Sequence, residues 1–547
     1  MLLPELIIGS RKSSLAKFQS YLVASRLKNK FPELQIKFRF IDSQGDRDQT
    51  TALWKMEGKS VFTQDLHADL IAGNIHCIVH SWKDLDLEDR LETVVQSVLE
   101  REDARDVLLF KKSTIEKIIN NQSRSLSFIN IATSSPRRER NLGIFLPKFL
   151  PKSLQNIPIQ FNPIRGNIQT RFRKFIEQDF DGYIVAKAAL DRMLNPEILW
   201  KEYPITIDIS EEDKKEFINN KIYLQECIKR CEFMVLPLSQ NPSAPAQGAL
   251  CVEYLKSDTK MKDYLYQLEN NSTKLTVLKE RKFLSEYGGG CHQKIGVSIL
   301  EREFGVIKFT RGLTDTGIDL EERKILPLNI LNEKNGSASE THPKKKYKST
   351  EVWPPNKKMA ERTRNTIDVS IPKDKDLFIT RSNALPENFS YDIYFNLKNE
   401  FNPLIWTAGL NTWKDLAERD IWVHGSFDSL GENEKLNIEY LLNRPLNFIK
   451  LTHNTNYETS SESIFPILAT YDVSSPIVPN EFDPKKIKAA FWRSSTEYEA
   501  LTSQFPELKN VDHYSGPGST FSMLCKNHKK PIVYLSFNEW LEDVVED

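Results

Sequence analysis

Apolar and polar positions fall into short runs along this chain, and most runs end in a cluster of hydroxyls or charges. Leu6-Ile7-Ile8 stops at Gly9-Ser10-Arg11-Lys12-Ser13-Ser14, after which Leu15, Phe18 and Leu22 recur at helical spacing. Ile36-Lys37-Phe38-Arg39-Phe40 alternates as a strand does, and Ile75-His76-Cys77-Ile78-Val79 reads as a short buried strand running into His80-Ser81-Trp82-Lys83-Asp84. Phe128-Ile129-Asn130-Ile131-Ala132 stops at Thr133-Ser134-Ser135, and Pro136 then takes a first helical position, where a missing N–H costs least. Repeated strand, polar turn and helix predict α/β domains with functional residues at strand C-termini.

At 547 residues the chain exceeds what one hydrophobic core organises, so several domains are expected. Arg101-Glu102-Asp103-Ala104-Arg105-Asp106 reads as a charged joint between the first two units. Residues 331–372, rich in Lys, Pro, Ser and Thr and containing Pro343-Lys344-Lys345-Lys346-Tyr347-Lys348, read as a solvated linker. Beyond it the α/β pattern resumes with a faint duplication. Leu377-Phe378-Ile379-Thr380-Arg381-Ser382 precedes Trp406-Thr407-Ala408-Gly409-Leu410-Asn411-Thr412, and Ala490-Phe491-Trp492-Arg493-Ser494-Ser495 precedes Tyr514-Ser515-Gly516-Pro517-Gly518-Ser519-Thr520. Each half is a strand ending in hydroxyls, then a Gly-x-x-Ser/Thr turn ahead of a helix.

Lys+Arg 75 balances Asp+Glu 75, so no net field draws in nucleic acid. The opening residues lack the basic region and long apolar stretch of a signal peptide, and no later run is long enough to span a bilayer, so no membrane partner is expected. Six scattered cysteines make no disulfide framework; reduced thiols and a cytoplasmic location fit them better. Cys227 and Cys231 stand at helical i,i+4 spacing, yet no neighbouring His or Cys completes a metal site. Cys77 and Cys251 read as packing residues. Arg11, Arg137, Arg138, Arg165, Arg171 and Arg192 lie in or beside the strand-to-helix segments, where guanidinium forks match anions. A cationic cleft in a neutral protein points to a polyanionic ligand; carboxylates and phosphate esters fit it equally.

Cys291 lies in Gly288-Gly289-Gly290-Cys291-His292-Gln293-Lys294-Ile295-Gly296, where three glycines clear the approach to a thiol able to anchor a covalent cofactor. Taken in order with His80-Ser81-Trp82-Lys83-Asp84, Thr133-Ser134-Ser135-Pro136-Arg137-Arg138 and Arg165-Gly166-Asn167-Ile168-Gln169-Thr170-Arg171, this segment resembles hydroxymethylbilane synthase (porphobilinogen deaminase). The resemblance covers about residues 5–312 and takes in Gly58-Lys59-Ser60-Val61-Phe62, Asp181-Gly182-Tyr183-Ile184-Val185-Ala186, Ala246-Gln247-Gly248-Ala249-Leu250 and Glu280-Arg281. It implies a transferase that condenses four porphobilinogen molecules, with release of ammonia, on a dipyrromethane carried by Cys291. The implied fold is a three-domain α/β deaminase: two periplasmic-binding-protein-like lobes (1–104 plus about 232–254, and 105–231) and a small α/β cofactor-carrying domain (255–330). It implies Asp84 as the catalytic carboxylate; Lys83, Ser134, Ser135, Arg137 and Arg138 as holders of the cofactor; and Arg11, Ser13, Arg165, Arg171 and Arg192 for substrate and growing chain. Lys59 and Phe62 fall to a mobile loop, and His80 to a structural role.

Three features depart from the family pattern. Leu85-Asp86-Leu87 after Asp84 lacks the usual proline, Lys294 stands where proline is usual, and Asn195–Cys231 is longer than the resemblance leads one to expect. Residues 373–547 resemble uroporphyrinogen-III synthase through Gly516-Pro517-Gly518-Ser519-Thr520 and Gly409-Leu410-Asn411-Thr412-Trp413. That implies ring closure of the linear tetrapyrrole, a lyase activity, with Thr412, Ser519 and Thr520 as candidate site residues. A structural or regulatory C-terminal region, and a two-lobed solute-binding module, remain the competing readings.

Overall fold

The structure is a computed structural model. It describes residues 5–42, 64–88, 90–119, 127–202, 204–288, 293–332, 346–356, 364–387, 389, 403–454, 463–474, 478, 482–528 and 531–546. The chain lays down β1 (Glu5–Arg11), helix α1 (Ser14–Lys30), β2 (Gln35–Ile41), β3 (Cys77–Ser81) and β4 (Thr93–Val98). It crosses over residues 99–105 to β5 (Asp106–Lys111), β6 (Ile129–Ala132), α2 (Pro136–Phe149), β7 (Ile159–Asn162), α3 (Ile168–Glu177), β8 (Gly182–Ala186), α4 (Lys187–Leu194), α5 (Glu211–Lys229) and β9 (Cys231–Leu236). It returns over 237–249 as β10 (Leu250–Leu255), then forms α6 (Asn271–Ser285) and the hairpins of β11 (Lys294–Arg302), β12 (Gly305–Leu313) and β13 (Asp319–Leu326).

Two five-stranded sheets result, β2-β1-β3-β10-β4 and β7-β6-β8-β5-β9, beside an antiparallel three-stranded sheet β11-β12-β13. In both larger sheets one strand runs against its neighbours: β10 against β3 and β4, and β5 against β8 and β9. Each is the strand that brings the chain in from the other sheet. The expected return to the first sheet at residue 232 is corrected here, because β9 pairs with β5 along its whole length, from Lys111↔Cys231 to Asp106↔Leu236. All six β9 residues are buried, with Met234 and Leu236 in the core cluster on one face of the second sheet and Cys231, Phe233 and Val235 in the cluster on the other. Re-entry begins at Leu250.

The expected linker is also corrected in its described parts. After 346 come β14 (Tyr347–Lys348), β15 (Val352–Trp353) and β16 (Arg364–Thr366), followed by β17 (Asp376–Ile379), β18 (Ile405–Thr407), α7 (Leu410–Glu418), β19 (Gly425–Ser426), β20 (Phe448–His453), β21 (Ile467–Val473), β22 (Ala489–Trp492), α8 (Ser495–Gln504), β23 (Asp512–Ser515), α9 (Ser519–Asn527), β24 (Ile532–Val533) and β25 (Val545–Glu546). β14 pairs with β25, β15 with β22 and β16 with β21. Trp353 is wholly buried. The mean polarity of the stretch hid Tyr347, Val352 and Trp353, three anchors enough to seat it.

The C-terminal region holds two sheets, β16-β21-β20-β17-β18-β19 and β15-β22-β23-β24. The two halves of the sequence duplication fall one in each sheet. β17 pairs parallel with β18 ahead of α7, and β22 pairs parallel with β23 ahead of α9. Gly409 and Gly518 stand at the N-caps of those helices.

This region shares a core with the second sheet. The Val235 amide donates to the His424 carbonyl at 2.7 Å, where edge β19 meets edge β9. Trp422 Nε1 donates to the Phe233 carbonyl and Trp413 Nε1 to that of Phe149, both at 3.0 Å. The Trp422 ring packs on Phe110, and one continuous apolar cluster runs from Leu108 and Phe145 to Trp413 and Trp422. A bidentate Arg302–Glu434 pair (2.6 and 2.5 Å) and the Phe304–Phe521 contact join it to the three-stranded sheet. Among the described residues no helix is long and apolar enough to cross a membrane.

Burial of each indole contributes about 2–3 kcal/mol by area, and truncating one leaves a cavity and an unpaired carbonyl. Trp422→Ala is therefore expected to destabilise the full chain by ~3–5 kcal/mol. Urea denaturation followed by far-UV circular dichroism checks this. It should show the second sheet and the C-terminal region unfolding together, and separate transitions would contradict a shared core.

Candidate active site

Trp82, Lys83 and Asp84 form a single 3-10 turn directly after β3. Trp82 and Leu85 are buried against Ala246, Ala249, Cys251 and Val277, and the Trp82 amide donates to the Ala249 carbonyl at 3.1 Å. Those two anchors face inward and leave Asp84 turned outward. Asp84 is exposed and has no hydrogen bond or ion pair among the described residues. Half-buried Lys83 donates to Gln247 Oε1 at 3.3 Å. Burial, reinforced by repulsion from Arg138 and Arg137 and opposed by Asp84 and Asp106, brings its ammonium down to about 8.

The first turn of α2 carries the arginine pair. Pro136 starts the helix and Ser135 caps it, its Oγ accepting from the Arg138 amide at 3.5 Å. Both guanidiniums turn inward onto Asp106. Arg137 Nη2 donates to Asp106 Oδ2 at 2.9 Å, while Arg138 donates through Nε at 3.0 Å and Nη2 at 2.7 Å. Asn241 Nδ2 and Gln247 Nε2 complete the shell at 2.9 and 2.8 Å. Burial alone would raise this carboxyl; Arg138 and Arg137 outweigh it and hold Asp106 far below the usual carboxylate range. Arg137 Nη1 also donates to the Pro242 carbonyl at 2.6 Å, and Ser134 Oγ donates to the Ile164 carbonyl at 2.7 Å.

Arg165 and Arg171 flank the start of α3, where Asn167 Oδ1 accepts from the Thr170 amide at 2.9 Å. Gly166 has φ +115, and a Cβ there would come within 2.6 Å of Thr170. Arg171 Nε donates to the Gly166 carbonyl at 2.8 Å, and Arg171 and Arg138 both act on buried Tyr183. Buried Arg192, at the end of α4, donates through Nη2 to the Gly248 carbonyl at 2.7 Å. Its Nε is buried with no acceptor among the described residues, and desolvation lowers its pKa. Arg11 ends β1, and Ser13 stands at the N-cap of α1 with its hydroxyl making no capping bond.

Cys291, Lys59 and Phe62 lie outside the described residues. The segment holding Cys291 is framed by α6 and β11. Five residues beyond the cysteine, Gly296 meets the Pro242 carbonyl so closely that a Cβ would sit 2.2 Å from it and 3.1 Å from Arg137 Cδ. The start of β11 is thereby pressed against Pro242 and Arg137. Lys83, Arg137, Arg138 and Arg192 are thus brought around residues 241–248, and Arg171 joins them through Tyr183.

The C-terminal candidates do not form one cluster. Thr412 Oγ1 is spent on the Thr380 carbonyl at 3.2 Å inside the larger sheet's layer. Ser519 and Thr520 open α9 on the other sheet, where Gly518 (φ +104) touches Gly431 backbone to backbone. Sequence reasoning missed the roles of Asp106, Asn241 and Gln247. Asp106 and Gln247 stood within recognised motifs, but nothing local to them shows which cations they meet. Among the described residues no group of His, Cys, Asp and Glu is placed to hold a metal. Burial pushes the Cys231 thiol up to about 12, in keeping with packing rather than ligation.

Residues 6–263 match the family model described as "Porphobilinogen deaminase, dipyromethane cofactor binding domain". The porphobilinogen deaminase of Clostridium novyi is 30% identical over 294 residues, covering 53% of this chain and 82% of that protein. That of Clostridium beijerinckii is 31% identical over 331 residues, covering 60% and 94%. Among solved structures, the effector-binding domain of a BenM variant aligns at 11% identity and TM-score 0.24, covering 52% of this chain and 97% of that one. A score of that size carries no argument about the fold. The residues matched by the family model hold the Asp84 turn and the Asp106 cluster, and with two such relatives covered over most of their length the chain belongs to the porphobilinogen deaminase family, whose cofactor is dipyrromethane.

Proposed function

We propose that the deaminase part joins four porphobilinogen molecules head to tail, releasing ammonia at each addition, with Asp84 as the acid-base and electrostatic group. The observation that carries this reading is Asp84 itself: an exposed carboxylate that makes no hydrogen bond or ion pair among the described residues and stands next to Lys83 of the cationic cluster. A charged group left without partners beside such a cluster is available to a ligand. Porphobilinogen carries two carboxylates, and its pyrrole nitrogen becomes electron-poor as ammonia leaves. Asp84 stabilises that positive charge and accepts and returns the proton at the nitrogen.

The residues present suit dipyrromethane. Among the described residues Lys83 has only a long bond to Gln247, and the buried Nε of Arg192 lacks an acceptor, so cationic donors remain for carboxylates. Lys83, Ser134, Ser135, Arg137 and Arg138 hold its acid groups, and Cys291 attaches it through a thioether. When bound, it supplies the nucleophilic carbon at which the chain starts. Arg11, Ser13, Arg165, Arg171 and Arg192 take the carboxylates of substrate and growing chain. The two five-stranded sheets act as its periplasmic-binding-protein-like lobes, with the β11–β13 sheet as the cofactor-carrying domain. Free thiols at all five described cysteines suit a cytoplasmic enzyme.

We infer that the C-terminal region closes the ring to uroporphyrinogen III. Support comes from the paired strand–Gly–helix units on two sheets, with Ser519 and Thr520 beside the Gly431–Gly518 contact. The core shared through Trp413 and Trp422 favours a structural role as well, and it makes a truncated chain a poor test.

Asp84→Asn is expected to leave the urea midpoint unchanged and to slow chain elongation by ~10²-fold or more. Steady-state turnover of porphobilinogen measures this, and near-normal turnover would reject the role.

Intact mass of the purified protein should exceed the sequence mass by two linked pyrroles. Cys291→Ser should lose both that excess and the acid-aldehyde colour. A fully active protein of unmodified mass would sink the attachment.

The third expectation concerns the isomer formed. Full-length protein should give mainly type III product from porphobilinogen, whereas a Ser519→Ala, Thr520→Val double variant should give type I. Chromatography after oxidation to porphyrins separates the two. Type I from both proteins would end the ring-closing reading and leave the deaminase untouched.

A further inference from the structure

Helix α5, in the stretch that is longer than the family pattern, packs into two cores at once. It stands between α4 and β9, on the chain of the second sheet. Its C-terminal half puts Leu224, Cys227 and Ile228 among Phe172, Phe175 and Phe233 of that sheet's core. Its N-terminal half puts Phe217 among Phe18, Tyr21 and Leu22 of the first sheet's core, and Leu199 and Ile209, just upstream, join it there. One helix therefore bridges the two lobes between which the growing chain is held.

The contact with α1 is specific. Asp213, Phe217 and Asn220, spaced four and three apart, lie on one face of α5 and meet Ser14, Lys17, Phe18 and Tyr21 of α1. Asp213 Oδ1 accepts from Lys17 Nζ at 2.6 Å, and Oδ2 accepts from the Tyr21 hydroxyl at 2.5 Å. Lys17 and Asp213 side chains are only 14% and 9% exposed, so the pair is shielded from screening. Phe217 meets Phe18 and Tyr21 edge-on, each at 6.1 Å. Asn220 Nδ2 donates to Ser14 Oγ at 2.9 Å. Ser210 Oγ accepts from the Asp213 amide at 3.1 Å and caps α5 at this end.

We infer that α5 is a strap that sets the opening between the lobes, and that Asp213 is a positioning residue acting through α1. The first turn of α1 carries Ser13 at its N-cap and follows Arg11, so fixing α1 against the second lobe fixes those two groups relative to Arg171 and Arg192. The consequence for substrate rests on the reading of Arg11 and Ser13 given above; the strap itself does not. On the crossing segments the lobes are tied separately. Arg101 pairs with Glu280 (2.8 and 3.0 Å), and Glu280 also accepts from the Ala246 amide at 2.9 Å. That tie does not involve α1. Parting the lobes at α5 breaks two charge-assisted bonds to Asp213 and wets Phe217, and it leaves the crossings whole.

The test uses full-length holoenzyme carrying Asp213→Asn, with Asp213→Glu as the conservative variant and Asn220→Ala as a second probe of the same face. Hydrogen exchange read on peptides covering 14–30 should quicken by ~10-fold or more in Asp213→Asn, since hydrogen bonds to buried charge are the strong ones. KM for porphobilinogen should rise several-fold with a smaller change in kcat. Intact mass at limiting substrate should show a changed distribution of enzyme carrying one, two or three added pyrroles. Asp213→Glu should recover part of each effect. If Asp213→Asn does not fold, Asn220→Ala should show the same changes at smaller size. Unchanged exchange in α1 would overturn the strap. Faster exchange with unchanged KM and unchanged intermediates would overturn the positioning role. Should Arg11→Gln also leave KM unaltered, the substrate reading of Arg11 fails while the exchange result still decides the strap.

Discussion

A single buried carboxylate, Asp106, makes the cationic site tolerable. Two guanidiniums and an ammonium within one cluster cannot be desolvated without a counter-charge, and an unpaired buried cation costs several kcal/mol or more. Asp106 stands where the chain enters the second sheet, and it gathers Arg137 and Arg138 from α2 and Asn241 and Gln247 from the returning segment. Gln247 also accepts from Lys83 at the end of β3. The second sheet's arginine pair and both crossings thus meet at one side chain, and the turn after β3 reaches it through Gln247. Asp106 carries one negative charge against those three cations, so the cluster keeps a net positive charge.

The same economy explains the C-terminal region. An edge strand such as β9 presents unpaired backbone groups, and β19 meets them through Val235 and His424 while Trp422 caps the Phe233 carbonyl. Covering the edge and burying two indoles binds the region to the deaminase whatever reaction it performs. A structural contribution and a catalytic one are therefore compatible, and deleting the region would remove both.

Local chemistry was legible in the sequence and long-range pairing was not. Pro136, Ser135 and the apolar run before them identify a strand–turn–helix because all the interactions that make it lie within a few residues. The turn at Trp82–Asp84 is legible for the same reason. The partner of Arg137 and Arg138 lies 31 and 32 residues upstream and could not be read from spacing. The boundary at 232 failed because β9 is apolar throughout, and such a strand suits either sheet until its register is known. The linker failed because three anchors, Tyr347, Val352 and Trp353, decide the placement of a stretch that is polar on average. The length of Asn195–Cys231 was visible as a departure, but its bridging of two cores depends on which residues of α1 it meets.

How a linear tetrapyrrole would travel between the two reactions follows from charge. A cavity of about 1170 Å³ lies between the crossing at Leu99–Arg105, the β11–β12 turn and the C-terminal residues Gly431, Gly518 and Phe521. It is large enough to suggest a passage. Its lining among the described residues, however, sets nine carboxyl groups, Glu301 and Glu303 among them, against five cations, and three of those, Arg105, Arg302 and Lys435, are already paired with Asp103, Glu434 and Glu100. A chain of four pyrroles brings two carboxylates with each ring, and such walls repel it. On the ring-closing reading the product therefore passes through solvent. Fusion then helps by local concentration, which needs no tunnel. That arrangement suits a shared core: packing which fixes the C-terminal region against the second sheet also fixes the distance over which an unstable product has to diffuse.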